Sequence, residues 1–261
     1  MPIKLKSKAQ IEKMRAAGRV SRAVLDRVES ACKPGVTTGE IDEIGRLAIE
    51  EHGAVGLFKN YPTYQPGKGF PGNLCISVNE VIVHGIGDGR VLREGDIVGV
   101  DCGVKLDGWC GDSARTIRVG EVAPEIDKLC DDTQRILELA IENVRPGRKW
   151  SQIARMMQRV AEGHGYGVVR EFVGHGLGQS MHEDPKVPNF VENGRGRPKG
   201  DFELREGLVI AIEPMCNLGT RETQTLADGW TVVTKDRQAS AHYEHTVAVT
   251  RDGCDILTDG R

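Results

Sequence analysis

Leu92-Arg93-Glu94-Gly95-Asp96-Ile97-Val98-Gly99-Val100-Asp101 and Leu204-Arg205-Glu206-Gly207-Leu208-Val209-Ile210-Ala211-Ile212-Glu213 follow one pattern. Each opens on LREG and runs through five more residues, largely apolar or small, into a carboxylate. The shift between the copies is 112 residues (204 less 92, 213 less 101). Upstream, Pro34-Gly35 matches Pro146-Gly147, Ile41 matches Ile153, and His52-Gly53 matches His164-Gly165 at the same shift. The chain therefore reads as a duplicated half. Both halves deliver an acid from the same strand position, so closing one on the other brings two buried carboxylates together. Such a pair repels unless a cation lies between them.

At 261 residues, the duplication favours two intimately packed halves over independent domains. A single domain over residues 1–261 is expected, with halves of about 8–118 and 120–250. A net charge of −3 without a long basic run argues against nucleic acid as the main partner. Seven cysteines (Cys32, Cys75, Cys102, Cys110, Cys130, Cys216 and Cys254) form an odd set without a CxxC pair, which favours reduced thiols in a cytosol. The opening residues lack the apolar core of a secretion signal, and no stretch reaches membrane-span length. A soluble, cytoplasmic protein with no membrane contact is expected. A monomer is the simplest state, since no apolar helix face stands out as exposed.

Each half reads as two helices followed by strands. Ser7 to Gln10 resembles a capping box before a helix over 8–32, and Thr37 with Glu40 caps a second that ends at His52-Gly53. The second half repeats this from Ile126 to Val144, breaks at Pro146-Gly147, and resumes from Trp150 to His164. Strands are expected at 81–84, 96–106, 109–118, 167–173, 207–213, 230–234 and 243–250. The segments Tyr61 to Gly72 and Asn193 to Gly200 read as surface loops, the second mobile.

Asp107-Gly108 is a hairpin turn signal that sets Leu106 opposite Trp109 and Asp112 opposite Gly103. Asp101 lies two residues from Gly103, so Asp101 and Asp112 emerge on one face. Polar residues on one exposed strand face are commonplace, but Ile97, Val98 and Val100 surround Asp101 with core residues. Glu213, at the register of Asp101, and Glu244, within HYEHTVAV, interrupt apolar runs in the same way. His175 in GHGLG and His84 in VHGIG are candidate nitrogen donors, though a lone histidine is more often a satisfied core or surface residue. By pattern His52, His164, His242 and His245 read as structural or exposed. Carboxylates with imidazole and without thiolate suit Mn²⁺, Fe²⁺, Co²⁺ or Zn²⁺. Four acids overcharge one dication, so two ions are expected, and metal-assisted hydrolysis is the natural reaction class.

The ordered motifs NEVIVHG, DCGVKLDGWCGDSART, GHGLGQSMHEDP, IEPM and YEHTVAVT together resemble the type I methionine aminopeptidases, from the first helix to the last strand. The resemblance implies the pita-bread α/β (α+β) fold, an antiparallel sheet covered by helices and built from pseudo-two-fold halves. It implies that Asp101, Asp112, His175, Glu213 and Glu244 hold two divalent ions, that Asp112 and Glu244 bridge them, and that Glu213 also shuttles a proton. His84 would bind the amino-terminal end of the substrate and stabilise the intermediate. His182 would polarise the scissile carbonyl or contact the next residue. Cys75, Phe70 and Trp230, with Met181 at the mouth, would form the methionine pocket; Phe70 stands where a tyrosine is usual and Met181 replaces an aromatic residue. The implied substrates are nascent chains and short peptides whose second residue is small, with the ribosome exit region as a further contact. Prolidase or aminopeptidase P activity is the nearest rival. A catalytically inactive pita-bread protein that binds peptide, histone or RNA is another, although all five ligand positions are filled here.

Overall fold

Ser7 and Thr37 open the first two helices in the same way. Each side-chain hydroxyl accepts the amide of the residue three positions on, and that residue's side chain returns to the cap amide, so two otherwise unpaired donors are satisfied at each start. The helices are α1 (Lys8–Ala31) and α2 (Thr38–Glu51), followed in the second half by α3 (Pro124–Glu142) and α4 (Trp150–Gly163). The computed structural model describes residues 2–62, 69–192 and 200–261. None of the helices described is long and apolar enough to cross a membrane.

The strands are β1 (Val55–Gly56), β2 (Cys75–Val78), β3 (Val81–Val83), β4 (Ile97–Leu106), β5 (Trp109–Arg118), β6 (Gly167–Val168), β7 (Gly174–Gly176) and β8 (Glu183–Val187). They continue as β9 (Val209–Ile212), β10 (Met215–Asn217), β11 (Thr223–Thr225), β12 (Val232–Thr234), β13 (Ser240–His242), β14 (Glu244–Val249) and β15 (Cys254–Ile256). Among the described residues the main sheet has nine antiparallel strands, ordered β1-β4-β5-β14-β9-β7-β8, with β2 beside β4 and β15 beside β14. Two three-stranded sheets, β13-β10-β6 and β11-β12-β3, flank it.

The 112-residue shift recurs in the hydrogen bonding. Gly35 donates to Leu92 O as Gly147 does to Leu204 O, and Leu92 donates to Val36 O as Leu204 does to Arg148 O. The isolated bridges Thr37 to Val91 and Lys149 to Glu203 correspond in the same way. Each helix pair covers its own apolar cluster. Val24, Leu25, Val28, Ile41 and Ala48 pack on Ile76, Val98 and Val100, while Leu129, Ile136, Ile153 and Met157 pack on Ile210, Ile212 and Val247. Burial of such an aliphatic side chain contributes roughly 1.5–3 kcal/mol, so these clusters hold the helices against the sheet. The halves meet where β5 pairs with β14, Ala114 opposite Glu244 and Ser113 opposite His245. Thr246 fastens that seam: its hydroxyl donates to Asp112 O at 2.7 Å and lies 3.3 Å from the Asp112 amide.

The β4–β5 hairpin has the expected register, with Leu106 opposite Trp109 and Gly103 opposite Asp112. Asp107 and Gly108 take φ of 48° and 82°, the left-handed pair that a two-residue hairpin turn requires. Other expectations are corrected. The apolar run at 167–173 is not one strand, because pairing with β10 ends after Val168 and a new strand begins at Gly174. Residues 207, 208 and 213 flank β9 instead of belonging to it, and β12 begins at Val232. The segment from Tyr61 to Gly72 is not wholly a surface loop, since Phe70 is 2 % exposed; its residues 63–68 lie outside the described residues. The expected mobile loop lies almost wholly outside them as well, at 193–199.

Candidate metal centre and substrate cavity

The hairpin fixes the first two acids. Asp101 on β4 and Asp112 on β5 share a face, and Asp112 is 2 % exposed. Across the seam, Glu244 opens β14 at 3 % exposure. Glu213 follows the end of β9, its carbonyl held by the Asn189 side-chain amide at 2.9 Å. His175, in the middle of β7, completes the group. Ligand atoms of Asp112, His175 and Glu244 all lie within 4.8 Å of one another, and His175 Nε2 stands 3.7 Å from Asp112 Oδ2 and 3.9 Å from Glu213 Oε1.

The state of His175 follows from its other nitrogen. Nδ1 is 3.0 Å from Gly176 O, and a carbonyl oxygen only accepts, so Nδ1 carries the hydrogen of the neutral ring. Burial, then the nearby His182, pushes this imidazole down to about 4. Its Nε2 lone pair therefore points at carboxylate oxygens. Burial raises Asp112 to about 7, while burial and then the charge of Asp112 raise Glu213 to about 8. Burial followed by neighbouring carboxylates drives Asp101 and Glu244 well above the usual range. Among the described residues Asp101 Oδ1, Asp112 Oδ1 and Glu244 Oε1 are buried without a hydrogen-bond partner, a costly state for groups of this kind. Orphaned oxygens and an inward lone pair form a donor set that a divalent cation satisfies, and the residues fit one.

The acids floor a cavity of about 230 Å³ whose lining includes every candidate site residue: Phe70, Cys75, His84, Asp101, Asp112, His175, Met181, His182, Glu213, Trp230 and Glu244. Phe58, Phe70 and Cys75 form an apolar cluster in its lining. Phe70 meets Trp230 edge-on at 5.2 Å and Phe58 at 6.5 Å, and Cys75 is paired across the strands with Asp101. Three hydrogen bonds from Asn73 and Leu74 to the Asp42 carboxylate anchor the approach to Cys75 on α2. His84 leaves β3 with φ of 58°, a conformation costly for a side chain of this size, and this turns its ring between Phe172 and Trp230 at 5.2 and 6.2 Å. Burial, then His182, pushes His84 down to about 4, so it enters the cavity as a neutral imidazole.

The profile of metallopeptidase family M24 matches residues 12–251. The chain belongs to that family. As an M24 metallopeptidase it is 44 % identical over 245 residues to methionine aminopeptidase 1 of Bacillus subtilis, which covers 94 % of each chain. Its structure superposes on the crystal structure of methionine aminopeptidase from Rickettsia prowazekii with a TM-score of 0.91 at 40 % identity, over 98 % of this chain and 100 % of the other. Prolidase from Pyrococcus furiosus shares the fold at a TM-score of 0.75 and 20 % identity, over 98 % of this chain and 66 % of its own. The M24 chain thus has the pita-bread fold and a candidate metal cluster of carboxylates and imidazole.

Other residues of this M24 site were not singled out from the sequence. Phe58, Tyr61, Val83, Phe172 and Val173 also line the cavity. His242 is 4 % exposed, and its Nε2, without a hydrogen-bond partner among the described residues, stands 3.7 Å from Glu213 Oε2. The signal for His242 was its place two residues before Glu244; what the pattern lacked was the pairing of β13 with β10, which sets His242 opposite Met215, beside the Glu213-Pro214 step. His52, His164 and His245 stay outside the cavity, bonded to Ala48 O, Asp132 and Thr258. All seven cysteines are free.

Proposed function

We propose that the chain is a metal-dependent aminopeptidase that removes the initiator methionine from nascent proteins and peptides whose second residue is small. One observation carries this reading. Asp101, Asp112, His175, Glu213 and Glu244 line one cavity together with the apolar cluster of Phe58, Phe70 and Cys75 and with Met181 and Trp230 packed on it. The five converging groups would hold two divalent ions, Co²⁺, Mn²⁺, Fe²⁺ or Zn²⁺, with Asp112 and Glu244 shared between them. When bound, such ions polarise a peptide carbonyl and lower the pKa of water toward neutrality.

The remaining work belongs to the chain's own residues. The aromatic and sulfur-bearing wall accepts an unbranched thioether, which packs well against rings and sulfur. Glu213 accepts a proton as water attacks and passes it to the departing amine, the work of a carboxylate placed beside the reacting bond. His84 and His182, both neutral through burial, contribute hydrogen bonds to the amino-terminal residue and to the scissile carbonyl without adding positive charge to the cluster. The enclosed wall limits the depth available beyond methionine, which favours a small second residue.

The test is release of methionine from Met-Ala-Ser and of the first residue from Xaa-Pro peptides, with and without chelator. Methionine release that chelation abolishes and Mn²⁺ or Co²⁺ restores is expected. Cleavage of Xaa-Pro peptides alone would replace this reading with a prolidase, and cleavage indifferent to chelation would remove the metal from it.

A further inference from the structure

Tyr61 lies in the irregular segment that follows β1, and backbone hydrogen bonds fix it there. Tyr61 N donates to Phe58 O at 2.8 Å, Phe70 N donates to Tyr61 O at 3.0 Å, and Asn60 N donates to Phe70 O at 2.7 Å. This stem sets Phe70 into the cavity wall and carries the Tyr61 ring edge-on to His182 at 5.4 Å. The Tyr61 hydroxyl stands 2.7 Å from His182 Nδ1. From the other side, the turn bearing His182 is fastened by the buried ion pair of Lys6 with Glu183 at 3.0 Å, and Glu183 also accepts from Ser180 N. Backbone and ring of His182 are thus each held by a separate contact.

A neutral imidazole has one hydrogen on two nitrogens, and the partner of one nitrogen decides what the other presents. Near neutral pH a phenol keeps its hydrogen and an imidazole is largely uncharged. Nδ1 is the ring nitrogen within reach of that hydroxyl. If Tyr61 donates, Nδ1 is a bare lone pair and Nε2 carries the hydrogen. If the ring donates instead, Nε2 faces the cavity as an acceptor and repels a carbonyl oxygen.

We propose that Tyr61 is a positioning residue whose hydroxyl, by donating to Nδ1, holds His182 in the tautomer that offers an Nε2–H donor to the scissile carbonyl. The identity of that carbonyl rests on the aminopeptidase reading; the tautomer does not. Tyr61 thereby links the loop stem that shapes the apolar wall to the donor that polarises the peptide bond.

Nitrogen NMR of the full-length, zinc-loaded protein with isotopically labelled histidine tests this, with the His182 signals assigned by their loss in His182→Asn. The wild type should show a pyridine-type Nδ1 and a hydrogen-bearing Nε2, and Tyr61→Phe a mixture of tautomers. Turnover of Met-Ala-Ser should fall about tenfold in Tyr61→Phe, the size of one lost hydrogen bond, with KM changed by less than about twofold. In the His182→Asn background, Tyr61→Phe should cost nothing further. A hydrogen on Nδ1 in the wild type, an unchanged tautomer and kcat in Tyr61→Phe, or full additivity of the two substitutions would each overturn the proposal. A wild type that releases no methionine would overturn the aminopeptidase reading, while the nitrogen spectra would still decide the tautomer.

Discussion

Glu213 sits where two demands meet: it is one of the acids that need a cation, and it is the acid placed to move a proton. Its carboxylate faces His175 Nε2 on one side and His242 Nε2 on the other, at 3.9 and 3.7 Å. Replacing it with alanine should lower kcat by roughly 10²–10⁴, the usual contribution of a positioned general base, while circular dichroism shows the fold retained. Loss of less than about tenfold would assign the proton transfer to another group. Asp101 has the simpler task, since its Oδ1 is buried without a partner among the described residues. Asp101→Asn substitutes a neutral amide for an anionic oxygen and should weaken Mn²⁺ binding more than about tenfold by titration calorimetry, or 1.4 kcal/mol. Unchanged affinity would remove Asp101 from the ligand set.

The β4–β5 hairpin shows what was readable from sequence and what was not. Its turn, alternation and register were written locally in Asp107-Gly108 and the flanking residues, and so was the shared face of Asp101 and Asp112. Glu213 was legible through the repeat with Asp101. The short strands β2, β10, β13 and β15 were not, because segments of three or four residues carry too little periodicity and owe their existence to partners far along the chain. Tyr61 and His242 were hidden for the same reason: a loop stem brings one to the cavity and β13 brings the other. The placement of the hairpin itself depends on Gly111, where an added Cβ would lie 2.5 Å from the backbone of Ala17 and Gly18 on α1. Gly111→Ala should therefore push the helix from β5, cost about 1–3 kcal/mol in denaturant unfolding and weaken metal binding through its neighbour Asp112. A variant as stable as the parent would show that α1 is not seated this closely.

At the scale of the whole molecule, the two halves close on mutually repelling acids, and the cost depends on pH. Without metal, Asp112 at about 7, Glu213 at about 8, and Asp101 and Glu244, which burial and neighbouring carboxylates raise well above the usual range, keep protons in the folded state that the unfolded chain has already lost. Folded pKa values above unfolded ones make this contribution fall away as pH rises. The buried histidines act oppositely, losing stability as pH falls below their unfolded value near 6.5, so the carboxylates are best observed above pH 7. Burial raises all seven cysteine thiols, so in the folded state they keep their hydrogens up to about pH 9, and the difference between the two forms isolates the acids. From pH 7 to about 9 the Tm gap between Mn²⁺-supplemented and chelated protein should widen by at least about 3 °C, the shift that roughly 1 kcal/mol produces in a chain of this size. A gap that narrows would contradict the ionisation scheme.

The most direct measurement is anomalous diffraction at the manganese edge from crystals grown with Mn²⁺. Two peaks are expected between the side chains of Asp101, Asp112, His175, Glu213 and Glu244, roughly 3.5–4 Å apart, with Asp112 and Glu244 touching both. Manganese bound only elsewhere, with these five side chains left facing one another, would contradict the account.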